Sequence, residues 1–334
     1  MGCGAGIMLT ASHNPYEDNG LKIFGPDGYK LSDELELAIE REILGEGKIP
    51  GVSPDKIGKA TRIDDARGRY IEYAKRSAGA GDLAGMKIVV DCGHGAAYLL
   101  APLIFKELGA KVVKLGVEPD GLNINEGCGA LHPDHAGRVV REQGADLGIS
   151  FDGDADRVIF TDETGVSVSG DRILTLCALA LMEEGKLRGA TMACTVMSNL
   201  GLHEALRTAG IAVLTTAVGD RHVIEALRAG GYSFGGENSG HLIFADHATT
   251  GDGILSALQV LRIMKRRGQP LSVLAQVMRE YPQSLVNLKV RAKPPLESLP
   301  RLQATLREAD AQFGDLGRHL IRYSGTEHKV RILV

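Results

Sequence analysis

The length and charge of the chain limit the kinds of protein it can be. Its 334 residues suffice for about two or three domains, each with a sizeable core. A formal net charge of −4 leaves no excess of basic residues, which argues against nucleic acid or an anionic membrane surface as a partner. No apolar run approaches the ~18–20 residues of a membrane helix, and the first residues lack the basic and apolar regions of a signal peptide.

The cysteines predict a reducing compartment. Their number is odd, they are widely scattered, and no two have the Cys-x-x-Cys spacing of a redox or zinc motif. We therefore expect free thiols, no disulfide, no zinc site and a cytoplasmic location. The cysteines are Cys3, Cys92, Cys128, Cys177 and Cys194.

The first part of the chain reads as part of a small α/β domain. Short apolar runs predict two strands around a polar loop, and an acidic amphipathic pattern predicts a helix after them. A loop with two prolines then leads to a helix rich in Arg and Tyr. The predicted ranges are strands at 6–9 and 21–24, helices at 33–44 and 64–77, and the loop at 45–58.

The middle of the chain alternates strand and helix patterns, which predicts parallel sheets with right-handed crossovers. The strands are expected at 87–91, 111–115, 145–150, 158–160, 191–197, 211–216 and 241–244. The helices are expected at 97–108, 135–143, 171–184, 200–209, from 221 to about 227, at 253–266 and from 270. Residues 93–97 (Gly-His-Gly-Ala-Ala) do not match the dinucleotide-binding fingerprint, so we expect no Rossmann cofactor site.

The pattern changes after a predicted hinge at residues 280–282 (Glu-Tyr-Pro). A strand at 284–292, a helix at 296–313 and a hairpin at 318–334 suggest a smaller α+β domain. We divide the chain accordingly into four units at 1–65, 66–168, 169–279 and 284–334.

Ser12 lies in a turn that carries reactive groups. It follows a short apolar strand, His13 is next to it, and Lys22 lies one short loop further on. Such a serine could be a nucleophile or phosphoryl carrier, with His13 or Lys22 managing protons and charge. Serine is also an ordinary turn residue, so the turn alone leaves a purely structural role open.

A second loop favours the chemical interpretation. Asp152, Asp154 and Asp156 follow a predicted strand at alternate positions, and small residues between them allow the loop to curl. Three converging carboxylates suit Mg²⁺. A solvated turn is the alternative, and a calcium loop of the EF-hand type is disfavoured because no helix and no glutamate follow at the required spacing.

Four motifs occur in the order found in the α-D-phosphohexomutase superfamily, which the chain resembles along essentially its whole length. They stand at residues 10–15 (Thr-Ala-Ser-His-Asn-Pro), 152–157 (Asp-Gly-Asp-Ala-Asp-Arg), 236–241 (Gly-Glu-Asn-Ser-Gly-His) and 322–327 (Arg-Tyr-Ser-Gly-Thr-Glu). Residues 218–221 and 249–254 most resemble the phosphoglucosamine branch. The resemblance implies consecutive α/β domains with mixed sheets and a smaller C-terminal α+β domain.

The resemblance also implies the chemistry. Ser12 would be a phosphoserine that donates its phosphoryl group to a hexosamine phosphate, forms a bisphosphate intermediate, and recovers a phosphoryl group from its other end. The implied net reaction interconverts glucosamine 6-phosphate and glucosamine 1-phosphate for cell-wall precursors. The phosphomannomutase and phosphoglucomutase branch is the alternative, and a homodimer is a further expectation.

The four loops then receive roles. One Mg²⁺ would be held by the three aspartates and the Ser12 phosphate, and Arg157 would clamp that phosphate. The sugar would meet the loops of the third unit, with capping of a helix by Asp220 as the alternative there. The distal phosphate would meet the last hairpin. The expected catalytic residues are Ser12, His13, Lys22 and Arg157. The expected substrate-binding residues are Asp220, Arg221, Glu237, Ser239, His241, Arg322, Ser324, Gly325, Thr326 and Arg331.

The chain departs from the family pattern at its ends and at two motif positions. The family's first domain normally has further residues before the serine loop, and its last domain normally continues beyond the phosphate loop. We therefore expect a truncated chain with impaired activity, and an inactive sugar-phosphate-binding remnant is the alternative of another class. Within the motifs, Ala155 stands where glycine is usual and His328 where proline is usual.

Overall fold

The computed structural model describes residues 2–45, 51–79, 82–314, 317–324 and 328–334. These residues form four sheets that follow one another along the chain. Most helices of the described residues belong to the two central sheets, whose inner strands are buried along nearly their whole length. No helix of the described residues has the length and apolar composition needed to cross a membrane.

The first sheet is a two-stranded antiparallel ribbon followed by one helix. The Ser32 side chain caps that helix by accepting from the Leu35 N–H, and acidic residues in its first turn complement the helix dipole. Its elements are β1 (Gly6–Thr10), β2 (Gly20–Phe24) and α1 (Asp33–Leu44), and α2 (Ala66–Ser77) leads to the second sheet.

The second sheet is mixed. Its strand order is β4-β3-β5-β6-β7, with parallel pairing among the first three strands and antiparallel pairing beyond them. Its elements are β3 (Lys87–Asp91), α3 (Leu100–Glu107), β4 (Lys111–Leu115), α4 (Pro133–Gln143), β5 (Leu147–Phe151), β6 (Val158–Thr161) and β7 (Ser167–Val168). Every residue of β5 is buried, which is why this strand reads as a continuous run without alternation.

The third sheet repeats the plan with strand order β11-β10-β8-β9, in which only β11 is antiparallel. Its elements are α5 (Gly170–Glu183), β8 (Thr191–Thr195), α6 (Leu200–Thr208), β9 (Ala212–Thr216), α7 (Asp220–Gly230), β10 (Phe234–Gly236), β11 (Leu242–Phe244), α8 (Gly253–Arg267) and α9 (Leu271–Leu274). Helix α8 is buried along most of its length, because it packs against α2, α5 and β6 as well as β11. One continuous apolar core therefore joins the second and third sheets.

The fourth sheet is antiparallel, with order β12-β14-β13, and carries one helix. Its elements are β12 (Leu285–Lys289), α10 (Pro300–Phe313), β13 (Leu320–Tyr323) and β14 (Lys329–Leu333). The predicted hairpin at the end of the chain is confirmed, as is the α+β character of this unit.

The predicted elements agree with the structure apart from short ones. The sequence missed β7 and β10, and the helix expected at 97–108 is instead a 3₁₀ turn at Ala96–Tyr98 followed by α3. The mixed sheets follow the expected α/β plan. The aspartate loop after β5 and the loop after β10 leave the carboxyl ends of strands that have a parallel neighbour, where ligands bind in open α/β sheets.

Candidate active site

Ser12 lies in the loop between β1 and β2 with a left-handed backbone, at φ 51°. This conformation is rare outside glycine, so neighbouring groups must hold it. The Ser12 N–H donates to Thr10 Oγ1 at 2.7 Å. The Ser12 carbonyl accepts from the Gly153 N–H at 3.1 Å and from Asn125 Nδ2 at 2.9 Å. Its hydroxyl lies 3.4 Å from His13 Nδ1, so the turn brings a hydroxyl and an imidazole together as expected.

The aspartate loop after β5 curls so that its carboxylates converge. One oxygen from each of Asp152, Asp154 and Asp156 lies within 4.8 Å of the others. Ala155 makes this possible with a left-handed backbone at φ 59°, and its N–H donates to the Asp152 carbonyl at 3.0 Å. Such a position favours glycine, which explains the family's usual residue there.

The same loop fits a divalent cation. Each aspartate has one buried carboxylate oxygen with no hydrogen-bond partner: Asp152 Oδ2, Asp154 Oδ1 and Asp156 Oδ1. Buried oxygens without a donor are costly, and three together form the donor set of a hard cation. The group could therefore hold a metal ion.

The charges of the cluster also favour a cation. Burial raises the pKa of Asp152, and the carboxylates of Asp156 and Asp154 raise it further. Burial acts in the same direction on Asp156, but His241 and Lys22 outweigh it and hold its pKa well below the usual range. The net charge of the cluster thus depends on the cations around it.

Lys22, on β2, supplies one of these cations. Its Nζ lies 2.6 Å from Asp154 Oδ2 and 2.8 Å from Asp156 Oδ2. Burial lowers the pKa of Lys22, but the two carboxylates outweigh burial and raise the pKa above its ordinary value. Lys22 binds the Oδ2 atoms, whereas the Oδ1 atoms of the same aspartates have no hydrogen-bond partner. An ammonium group and a metal ion can therefore use different oxygens of one pair of carboxylates.

Arg157 lies at the edge of the aspartate loop. Its Nε is 3.9 Å from Asp156 Oδ1 and has no hydrogen-bond partner. Burial lowers the pKa of His13, and the charge of Arg157 lowers it further. His13 is therefore favoured in its neutral form, which can accept a proton.

His241 connects the aspartate loop to the third unit. It is 2 % exposed, and its Nδ1 lies 3.6 Å from Asp156 Oδ1 while its Nε2 lies 3.7 Å from Asp220 Oδ2. The Gly251 N–H donates to Nε2 at 3.2 Å. Asp220 is the first residue of α7 and also pairs with Lys30. The alternative in which Asp220 caps this helix is wrong, because the cap position is occupied by Gly219 without a side-chain bond.

The loop after β10 holds Glu237 and Ser239 close to His241. Glu237 is buried, and its Oε1 accepts from the Gly219 N–H at 3.0 Å, which ties this loop to the start of α7. Ser239 Oγ is buried without a hydrogen-bond partner. The loop thus presents the carboxylate of Glu237, which is held by a hydrogen bond, and the hydroxyl of Ser239, which has no hydrogen-bond partner.

Arg221 contacts the first unit. Its guanidinium pairs with Asp33 and with Glu36, both on α1. In this structure these carboxylates engage the guanidinium that the sequence assigned to substrate.

The last hairpin carries two arginines that face each other. Arg322 on β13 is directly opposite Arg331 on β14. Burial lowers the pKa of Arg322, and Arg331 lowers it further. Like charges directly across a ladder repel, so an anion beside them would relieve the repulsion. Ser324 is buried at the end of β13, whereas Gly325 and Thr326 lie outside the described residues.

Two contacts of this site were missing from the sequence predictions. Thr10 Oγ1 donates to Asp154 Oδ2 at 2.7 Å while accepting from the Ser12 N–H, so it links the two loops. The motif position of Thr10 could have indicated such a role. Asn125 lies in a polar loop outside every motif, and no sequence signal pointed to it.

Models of the phosphoglucomutase/phosphomannomutase family match nearly the whole chain. The alpha/beta/alpha domains I, II and III match residues 1–49, 68–165 and 169–281, and the C-terminal domain matches residues 285–334.

Curated relatives are similar along the whole chain. A phosphoglucosamine mutase of Syntrophotalea carbinolica is 53 % identical over 100 % of this chain and 74 % of that protein. A phosphoglucosamine mutase of Sorangium cellulosum is 54 % identical over 100 % of this chain and 70 % of that protein.

Solved structures share the fold. A phosphoglucomutase/phosphomannomutase family protein of Burkholderia thailandensis superposes with a TM-score of 0.78 at 26 % identity, covering 98 % of this chain and 71 % of that one. An N-acetylphosphoglucosamine mutase of Aspergillus fumigatus, solved with GlcNAc-6P and magnesium, has a TM-score of 0.77 at 21 % identity and covers 99 % of this chain and 85 % of that one. With four domain models in order and relatives above half identity, this chain belongs to the phosphoglucomutase/phosphomannomutase family.

Proposed function

We propose that this chain is a phosphoglucosamine mutase that interconverts glucosamine 6-phosphate and glucosamine 1-phosphate through a phosphoserine at Ser12. The observation that carries the proposal is the meeting of Ser12 with the aspartate loop, where the Gly153 N–H donates to the Ser12 carbonyl. Relatives named phosphoglucosamine mutase support the choice of reaction.

The metal site belongs to this proposal. Asp152, Asp154 and Asp156 would hold one Mg²⁺ through the carboxylate oxygens that have no hydrogen-bond partner, with the phosphate of Ser12 as a further ligand. When bound, Mg²⁺ would neutralise charge on the transferring phosphoryl group and polarise its oxygens. Arg157 is the residue of the loop suited to grip that phosphate, because a guanidinium matches two phosphate oxygens.

The transfer needs one proton to move. As the phosphorus–oxygen bond to Ser12 breaks, phosphorus forms a bond to a sugar hydroxyl oxygen. The proton of that hydroxyl must leave, and the released Ser12 oxygen must take up one proton. His13 is suited to accept it, because its lowered pKa favours the neutral imidazole. Lys22 is suited to stabilise charge, because its ammonium stays protonated between two carboxylates. In the return half-reaction the same groups act in reverse.

The substrate contacts follow from the remaining loops. Glu237 and Ser239 would bind sugar hydroxyls, and the Glu237 carboxylate also suits the ammonium of an amino sugar. His241, which contacts Asp156, and Asp220, which contacts His241, would border the same sugar. We propose that Arg322, Ser324 and Arg331, together with Gly325 and Thr326, bind the phosphate that is not being transferred.

We also propose a cytoplasmic location and a homodimer. A cytoplasmic location is supported by the buried, unpaired thiols of Cys92, Cys128, Cys177 and Cys194. A homodimer is proposed from the family resemblance alone.

The test compares substrates on the purified chain with Mg²⁺ and a hexose bisphosphate. Glucosamine 6-phosphate should give a higher kcat/KM than glucose 1-phosphate or mannose 1-phosphate. Intact-mass analysis should show one added phosphate, and Ser12→Ala should abolish it. Equal or better kcat/KM with mannose 1-phosphate would move the chain to the phosphomannomutase branch, and no turnover with any of the three would leave a sugar-phosphate-binding remnant.

A further inference from the structure

The serine loop is held from outside its own unit. Ser12 is left-handed at φ 51°, and its carbonyl accepts two hydrogen bonds from the second unit, one from Gly153 and one from Asn125. The Asn125 amide also donates to the Asn14 carbonyl at 2.8 Å. One amide group therefore binds two carbonyls of the serine turn at once.

Asn125 is itself rigidly placed. It is 8 % exposed, its N–H donates to the Gly93 carbonyl at 2.8 Å, and its backbone is left-handed at φ 59°. Asparagine tolerates this conformation better than most residues. Its backbone is thus anchored to the loop that follows β3, a strand of the sheet that also carries the aspartate loop.

The aspartate loop is shaped around this contact. A Cβ at Gly153 would lie 2.4 Å from the Ser12 carbonyl oxygen and 2.9 Å from Asn125 Nδ2. Only glycine allows the three groups to approach so closely. The Asn125 amide therefore packs directly against the Ser12 carbonyl and the backbone of the aspartate loop.

We propose that Asn125 is a positioning residue for phosphoryl transfer, which fixes the Ser12 backbone relative to Asp152, Asp154 and Asp156. It touches neither substrate nor the transferred group. It acts by holding the peptide that carries the Ser12 side chain, and a nucleophile displaced by ~1 Å costs on the order of 10²-fold in rate. The inference rests on the proposed function for its effect on rate, but the positioning itself can be measured without turnover.

Asn125→Asp keeps the size and the left-handed preference of the side chain but replaces the donor with an acceptor that faces two carbonyls. Asn125→Gly removes the amide and keeps the backbone freedom. Asn123→Asp is the matched control, because Asn123 lies in the same loop and its Nδ2 donates to the Glu118 carbonyl rather than to the serine turn.

The first readout is amide hydrogen exchange. In Asn125→Asp and Asn125→Gly, exchange in a peptide covering residues 11–18 should rise at least about tenfold, with β3 and β5 unchanged. The control should leave residues 11–18 unaffected. Unchanged exchange there in both Asn125 variants would overturn the proposal, whatever their activity.

The second readout is steady-state kinetics with glucosamine 6-phosphate. The kcat of both Asn125 variants should fall at least about tenfold while KM changes less than about threefold, because sugar contacts lie on other loops. If kcat fell equally in the Asn123→Asp control, the effect of Asn125 would reflect the general stability of the loop, and the proposal would be overturned. If the wild-type chain transfers no phosphoryl group, the proposed function fails and the exchange measurement alone decides the positioning.

Discussion

The ammonium of Lys22 lies 2.6 Å from Asp154 Oδ2, while Asp154 Oδ1 is buried without a partner. The two oxygens of this carboxylate thus have different surroundings. The same division holds for Asp156, whose Oδ2 is 2.8 Å from Lys22 and whose Oδ1 has no hydrogen-bond partner. Lys22 therefore supplies part of the positive charge that the cluster needs, and a metal ion would supply the rest.

Removal of Lys22 should make the protein depend more strongly on Mg²⁺ for stability. In EDTA, Lys22→Met should lower the free energy of unfolding by at least about 1 kcal/mol, because buried carboxylates lose a cation. Added Mg²⁺ should then raise its Tm more than it raises that of the wild type.

Lys30→Met is the matched control for this experiment, since Lys30 pairs with Asp220 and not with the aspartate loop. Thermal unfolding with and without Mg²⁺ measures the difference. An equal Mg²⁺ effect in wild type, Lys22→Met and Lys30→Met would show that Lys22 and the metal do not share the cluster.

Two aspartate substitutions should have the same effect on activity and opposite effects on stability. Asp152→Asn and Asp154→Asn should each lower kcat/KM at least about 10²-fold, because each removes an anionic ligand. In EDTA, Asp152→Asn should raise the Tm, because burial and two neighbouring carboxylates disfavour its charge. Asp154→Asn should lower the Tm, because Asp154 is paired with Lys22.

Activity assays and thermal unfolding in EDTA check this pair together. If either variant kept full activity after EDTA treatment, the aspartates would not hold a metal ion that the reaction needs. A fall in Tm for Asp152→Asn would contradict the view that the empty cluster is strained by its own charge.

The sequence predicted those parts of the fold that depend on local pattern. Strands β5 and β8 were predicted because every residue in them is buried, which gives a short run without polar and apolar alternation. Strand β10 was missed because it contains Gly235 and Gly236, and glycine carries no strand signal. The positions of the motif loops followed directly, because each comes after a strand.

The contacts between loops could not be predicted. The Asn125 amide meets Ser12 across 113 positions of sequence, and Arg221 meets Glu36 across 185. Such pairs depend on how sheets are placed relative to one another, which local periodicity does not encode. The left-handed backbone of Asn125 is likewise a result of tertiary packing.

The buried carboxyl of Asp171 should make stability depend on pH. Asp171 is 3 % exposed, and burial raises its pKa from 3.8 to about 6. The folded state therefore binds this proton more tightly than the unfolded chain. Its contribution is neutral below about pH 4, becomes unfavourable as the pH rises from about 4 to 6, and stays unfavourable above that.

Asp171→Asn should remove this dependence and keep the bond that Asp171 Oδ2 accepts from the Asn199 N–H. Relative to wild type, the variant should gain on the order of 1–3 kcal/mol between pH 4 and pH 7. Urea unfolding across this range measures the gain, and Glu142→Gln on the exposed side of α4 is the control. A difference between Asp171→Asn and wild type that does not change with pH would show that the carboxyl is not the cause.

Arg322 and Arg331 should bind an anion together, because they are directly opposite each other on β13 and β14. Arg331→Gln should raise KM for glucosamine 6-phosphate by about 10- to 100-fold, the cost of losing a hydrogen bond to a charged group, with a smaller change in kcat. Inorganic phosphate should raise the Tm of the wild type, and this effect should be reduced in the variant.

Arg301→Gln on the exposed surface of α10 is the control and should retain both the normal KM and the phosphate effect on Tm. A normal KM in Arg331→Gln would move the distal phosphate away from this hairpin, whereas a raised KM with an unchanged phosphate effect on Tm would show that free phosphate stabilises the protein at another site.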